Sequence, residues 1–239
     1  MRFINYFRKS VPVATPYPGN EDAQQRYYKK LRLQVLIAAL LSHSLYYVCR
    51  TTLNVVKEPI LDNGALNATQ LGMIGSAMLF VYAVGKFVNG FLADYSNIKR
   101  FMAAGLILSA AANLIIGIAG FLNGDGYIGN AIFFLTFIIL WGINGWAQSM
   151  GGPPGIVSLS RWYPLSTRGT YYGFFSASHN LGEFFSLLFV GAIVGLCGWH
   201  WGFAGSAVAG AIGIAIIIAL LHDCLLYTSP SPRDRQKSR

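Results

Sequence analysis

Charge is what this sequence has least of. Only 11% of its 239 residues are Asp, Glu, Lys or Arg, and just nine are acidic. With 54% of residues hydrophobic and a mean hydropathy of +0.47, too few polar groups remain to clothe a water-facing surface, which excludes the soluble globular classes. Cysteine is also sparse. Cys49, Cys197 and Cys224 are odd in number and two lie in apolar segments, so neither a disulfide framework nor a zinc site is implied. Residues 1–32 hold no apolar run, so no cleavable leader is expected and insertion begins with the first span. The excess of base, eighteen Lys and Arg against nine acids, forms no patch interleaved with aromatics, and nucleic acid is not an expected partner. No His-Glu-x-x-His, Gly-x-Ser-x-Gly, Walker loop or dinucleotide fingerprint is present; the chain does not read as an enzyme and calls for no cofactor.

What the chain does have is apolar length. Windows of about 20 residues, enough to cross a hydrocarbon core of about 30 Å, fall near 33–57, 71–93, 101–121, 129–160, 170–196 and 202–221. The fold class is therefore all-α, polytopic and membrane-spanning. The fourth window is too long for one straight span, and "GGPPG" at 151–155 should kink it or end it. Residues 1–32 read as an N-terminal segment, 33–223 as the transmembrane unit and 224–239 as a disordered tail. That tail, "CLLYTSPSPRDRQKSR" from Cys224, resembles translated adapter or vector sequence and reads as non-native; the alternative is a solvated cytoplasmic end.

Basic residues set the orientation. Arg2, Arg8, Lys9, Arg26, Lys29, Lys30 and Arg32 precede the first span, Lys99 and Arg100 follow the second, and Arg161 and Arg168 follow the fourth, whereas the other connections hold only Lys57. The N-terminus and the even-numbered loops are thus expected in the cytoplasm. Asn67-Ala68-Thr69 matches a glycosylation tripeptide on the other side, a pattern common by chance.

Four ionisable residues fall inside spans: Arg50, Lys86, His179 and Glu183. Each buried charge costs roughly 2.5–3.5 kcal/mol on insertion scales and so calls for a partner or a purpose. At a rise of about 1.5 Å per residue, Glu183 falls near mid-span, His179 about 6 Å toward the cytoplasm and Arg50 about 7 Å toward the outside. His179 and Glu183 share one helix face. Arg50 and Glu183 as a mere packing pair, with Lys86 snorkelling, is one reading. A metal site is a weaker one, since His179 and Glu183 would need a further ligand and His43 is the only histidine nearby. The positive excess favours an anion in the cavity.

Four stretches carry a resemblance. "YAVGKFVNGFLADYSNIKRFMAAGL" from Tyr82, "NGWAQSMGGPPG" from Asn144, "RWYPLSTRGTYYGFFSASHNLGE" from Arg161 and "YYVCRTTLNVV" from Tyr46 are together similar to the organophosphate/inorganic phosphate antiporter family of the major facilitator transporters. The resemblance implies a twelve-helix fold in two halves with substrate between them. This chain would be the N-terminal half of a broken reading frame, and the C-terminal six-helix half, which contributes a second arginine in the family, would be the missing partner. It implies that Arg50 binds the substrate phosphate and that Lys86 and His179, matching the second-helix lysine and the cavity-facing fifth-helix histidine, also bind substrate, with Tyr46, Tyr47, Asn180 and Glu183 around them. Gly90, Asp94, Lys99 and Arg100 correspond to the conformational loop motif. The implied activity is exchange of a phosphorylated small metabolite, a sugar phosphate or glycerol 3-phosphate, for inorganic phosphate across a bacterial inner membrane. A sugar-phosphate sensor of the same fold and a facilitator for another organic anion are the alternatives. Thr51 stands where the glycerol-3-phosphate transporters have lysine, Thr167 where a glutamate is usual, and Glu183 where the family has a small residue.

Overall fold

Apolar runs of this length must satisfy their backbone internally, and helices do so within one segment. A computed structural model describes Phe7 and residues 21–222, and among these eight α-helices form six helical spans. They are α1 (Glu21–Asp62), α2 (Ala68–Tyr95), α3 (Ile98–Gly124), α4 (Asn130–Ser149) with α5 (Gly152–Trp162), α6 (Leu165–Phe185) with α7 (Gly191–Cys197), and α8 (Trp199–Leu220). The six windows read from the sequence match these spans to within a few residues, except at the start of the first. There the helix begins at Glu21 instead of near residue 33. Residues 21–32 are polar but good helix formers, and packing favours the longer helix: Leu31 is buried and Tyr28 lies against Trp162. The expectation about residues 224–239 lies outside the described residues.

The long fourth window breaks where its glycines and prolines dictate. α4 stops at Ser149, Met150 and Gly151 make the elbow, and α5 restarts with Pro153 and Pro154 in its first turn, where their missing N–H groups cost nothing. Between α6 and α7, Ser186–Val190 winds as a π-helical turn, so the fifth span is also uneven. Three residues permit sharp chain reversals because they are glycine: Gly64 at φ 66° after α1, Gly126 at φ 78° after α3 and Gly198 at φ 95° between α7 and α8.

Two large buried clusters, with a small third of Val48, Val190 and Ala209, hold the bundle. At the Gly64 end, Trp141, Phe137 and Phe203 meet edge to face with Ile60, Ile74 and Ile116 around them. At the other end, Tyr46, Met102, Leu106 and Trp162 pack together. There Arg32 lies 4.3 Å from the centroid of Tyr28, and its carbonyl accepts the Tyr163 hydroxyl at 2.9 Å. Burial, with Tyr171 alongside, pushes the Tyr163 phenol up to about 12 against the pull of Arg32.

Asn67 of the glycosylation-like tripeptide is the N-cap of α2. Its Oδ1 accepts from the Gln70 N–H, and Gln70 Oε1 accepts from the Asn67 N–H, each at 2.9 Å, a closed capping box. Asn67→Ala is expected to lower stability by about 1 kcal/mol, read as a lower unfolding midpoint in detergent, with Asn67→Asp close to unchanged.

Candidate functional site

Residues four and seven apart along a helix share a face, and α1 carries His43, Tyr47 and Arg50 at that spacing. The back of the same turn is committed elsewhere. Val48, Cys49 and Thr52 are buried, and the Cys49 carbonyl accepts from Asn113 Nδ2 of α3 at 3.2 Å and from Asn144 Nδ2 of α4 at 3.4 Å. Asn144 Oδ1 in turn accepts from Ser109 at 2.6 Å, and Gln148 donates to Ser109 at 2.8 Å. On the α8 side, the Cys49 thiol donates to the Ser206 carbonyl at 3.2 Å and Thr52 bonds the Ser206 hydroxyl. With its back held by three helices, the turn leaves the Arg50 side chain only the front.

There it meets rings. The guanidinium carbon of Arg50 sits 4.1 Å from the centroid of Tyr82 and 5.4 Å from that of Tyr47. Lys86 Nζ, one turn along α2, is 5.1 Å from the same Tyr82 ring. Tyr47 continues the chain of contacts to His179 of α6, ring centroids 5.6 Å apart, and to His43 at 5.2 Å. Two tyrosines from two helices therefore join Arg50, Lys86 and His179 into one group. A cation over an aromatic face is worth roughly 0.5–2 kcal/mol, which orients these charges without neutralising them. α6 approaches α1 closely enough to contribute because residue 182 is glycine: a Cβ there would stand 2.5 Å from that of Tyr47 and against the Ser44 carbonyl oxygen.

The remaining expected residues are placed differently. Glu183 and Asn180 are exposed on α6, and among the described residues no ion pair joins Glu183 to Arg50. The packing-pair reading of Arg50 thus loses its contact: Glu183 lies on the uncovered face of α6, and tyrosine rings occupy the place beside the guanidinium. Tyr46 turns away from the group. It is 1% exposed, gives its hydroxyl to the Met102 carbonyl, and lies against Gly105 and Gly151 at the α4–α5 elbow. The loop motif stands apart, at the junction of α2 and α3. Asn97 Oδ1 accepts the Arg100 N–H at 3.0 Å and caps α3, while Arg161 reaches across from α5 to donate to the Asp94 carbonyl at 3.1 Å. Lys99 is half-buried there, and a Cβ at Gly90 would meet nothing within 4 Å.

Two neighbours of the group, Tyr82 beneath the cations and His43 beside Tyr47, carry no substrate-binding assignment from sequence reasoning. Each sits one or two turns from an intramembrane cation on the same helix, Tyr82 four before Lys86 and His43 seven before Arg50, and that spacing was the available signal. Among the described residues, no set of three His, Cys, Asp or Glu gathers as a metal site would require.

Comparison with known proteins places these features in context. A model of the Major Facilitator Superfamily matches residues 39–239. The hexose-6-phosphate:phosphate antiporter of Escherichia coli strain K12 is 31% identical over 97% of this chain and 47% of its own length. The membrane sensor protein UhpC of Salmonella typhimurium is 30% identical over 82% of this chain and 41% of its own. The crystal structure of a bacterial homologue of the human lysosomal transporter Spinster, inward-facing and unoccupied, superposes with a TM-score of 0.64 at 20% identity, covering 84% of this chain and 45% of that one. The chain thus spans under half the length of these relatives.

Proposed function

Since the chain belongs to the major facilitator superfamily and is an integral, multi-pass membrane protein, we propose that it forms one six-helix half of a transporter exchanging a phosphorylated small metabolite for inorganic phosphate. The observation that carries this reading is Arg50: a guanidinium over the Tyr82 ring and near Tyr47, beside Lys86 and His179 and without a carboxylate ion pair among the described residues. A planar fork held by its face keeps its N–H edges free for two parallel bonds to phosphate oxygens. Lys86 supplies further positive charge for the same anion, and His179 borders the group through Tyr47. No covalent step is needed: a second half closes over the anion, and the two rock about it with the phosphate gradient as driving force. The distribution of basic residues supports an N-terminus and even-numbered loops in the cytoplasm, and the bacterial relatives support the inner membrane.

The large apolar faces of α2 (Phe80, Phe87, Tyr95) and of the fifth span (Phe184, Leu187, Leu188) are exposed, together with Lys86 and Glu183. A charged face of this kind needs a covering half. In proteoliposomes loaded with inorganic phosphate, the chain alone is expected to take up no hexose 6-phosphate above empty vesicles. Fused to the remaining half of the Escherichia coli antiporter, it should exchange the two. Saturable exchange by the chain alone, or fused-protein uptake indifferent to internal and competing phosphate, would overturn the reading.

A second reading has its own support in the relative named as a membrane sensor: binding of a sugar phosphate without transport. The fused protein separates the two, because a sensor half would bind hexose 6-phosphate and leave internal phosphate in place. Competition by inorganic phosphate separates both from a facilitator for another organic anion.

A further inference from the structure

His43 enters no step above, yet it is among the most constrained side chains facing the cavity. Its ring lies 4.6 Å from Phe175 and 5.2 Å from Tyr47, and its Nδ1 is 2.7 Å from the hydroxyl oxygen of fully buried Ser178. That hydroxyl has a single hydrogen. It is given back to the Phe175 carbonyl one turn earlier on α6, the usual bond of a helical serine. The Ser178 oxygen can then only accept from His43, so the hydrogen of a neutral imidazole resides on Nδ1 and Nε2 keeps its lone pair. The helix seam that enforces this is itself tied, since the Ser44 hydroxyl shares its hydrogen between the Leu40 carbonyl of its own helix and the Ser178 carbonyl, each at 2.9 Å. His179 follows the same logic, its Nδ1 facing the Ser176 carbonyl, which can only accept.

We propose that His43 determines specificity in the cavity: its Nε2, fixed as an acceptor, takes a hydrogen bond from a hydroxyl on the carbon skeleton of a phosphorylated metabolite whose phosphate is held at Arg50. The inference rests on the phosphate site proposed above and adds the recognition of the organic part. His43 and Arg50 lie on one stripe of α1, on opposite sides of Tyr47, about 10 Å apart along the axis. Inorganic phosphate at Arg50 carries no skeleton to extend past Tyr47; a sugar phosphate does. No described residue bonds Nε2, which looks toward the elbow at Gly152, where even a Cβ would approach it to 3.6 Å. Nε2 still keeps accessible surface beside that glycine, through which a ligand hydroxyl can reach it. A donor-bearing skeleton pairs a half-buried acceptor that a bare anion leaves without a protein partner, and such a bond contributes to polar discrimination.

The whole chain, labelled with 15N-histidine and held in lipid nanodiscs, provides the test. Without ligand, the His43 resonances, identified by their loss in His43→Gln, should report a protonated Nδ1 and an unprotonated Nε2. Hexose 6-phosphate should shift both His43 Nε2 and His179, whereas inorganic phosphate should shift His179 and leave His43 still. His43→Phe should weaken hexose 6-phosphate binding about tenfold, the loss of one hydrogen bond of ordinary strength, with inorganic phosphate binding unchanged. His43→Gln, which returns an acceptor oxygen near the place of Nε2, should keep most of the affinity. An Nε2–H tautomer, a His43 signal indifferent to hexose 6-phosphate, or undiminished affinity in His43→Phe overturns the assignment. A chain in which neither ligand moves His179 overturns it together with the phosphate site on which it rests.

Discussion

Arg50→Lys, in the fused transporter, is expected to reduce exchange about ten- to a hundredfold although the charge is kept. The guanidinium here lies over the Tyr82 ring and near Tyr47, and its edge can give two parallel N–H bonds to one phosphate. Lysine has a compact ammonium that neither stacks nor forks. One charge-assisted bond is worth about 1.5–3 kcal/mol, and about 1.4 kcal/mol is a factor of ten. If Arg50 served only to balance Glu183, lysine would do so equally well, but the two are not ion-paired and Glu183 is exposed. The loss should fall on phosphate and organophosphate alike, and the unfolding midpoint should hold. Near-normal exchange in Arg50→Lys would return the residue to a packing role and leave the anion site without its central contact.

A second large effect is expected at Gly145, where α4 crosses α2. A Cβ at that position would stand 2.5 Å from the Met78 carbonyl oxygen, and backbone cannot rotate aside as a side chain can. Gly145→Ala must therefore separate the helices. Overpacking of this sort costs about 1–3 kcal/mol, and membrane helices rely on such close approach because lipid provides no hydrophobic drive between them. The displacement would also carry Tyr82, one turn beyond Met78, away from Arg50, so activity should fall more than stability alone explains. Gly90→Ala is the control: it lies on α2, the helix that Gly145 meets, belongs to the loop motif, and has nothing within 4 Å of a Cβ, so the midpoint should not move. Equal midpoints for the two variants would show that α2 and α4 do not meet so closely.

Most of the scaffold was legible because its causes are local. Apolar length bounds each span to within a few residues, and "GGPPG" marks the elbow since proline cannot continue the hydrogen-bond ladder behind it. The first helix was misjudged for a non-local reason. Residues 21–32 lack apolar length of their own, and their helix is held by what lies opposite, Trp162 beside Tyr28 and Tyr163 beside Arg32.

The site divides along the same line. That Arg50, Lys86 and His179 stand within spans, and at what spacing, is determined by the sequence, because helical rise and periodicity are properties of the chain itself. Whether Tyr46 or Tyr47 joins them is not, since one stands four residues and the other three before Arg50 and either spacing shares a face. Packing decided it: Gly105 and Gly151 make room for Tyr46 on the buried side, which turns Tyr47 outward to Arg50, His43 and His179. The tertiary structure likewise chose Tyr82 as the ring beneath the guanidinium and Ser178 as the partner of His43, contacts between residues 32 and 135 positions apart. A single helix fixes the angle at which a side chain leaves its axis; what that side chain meets depends on how closely small residues let the neighbouring helices approach.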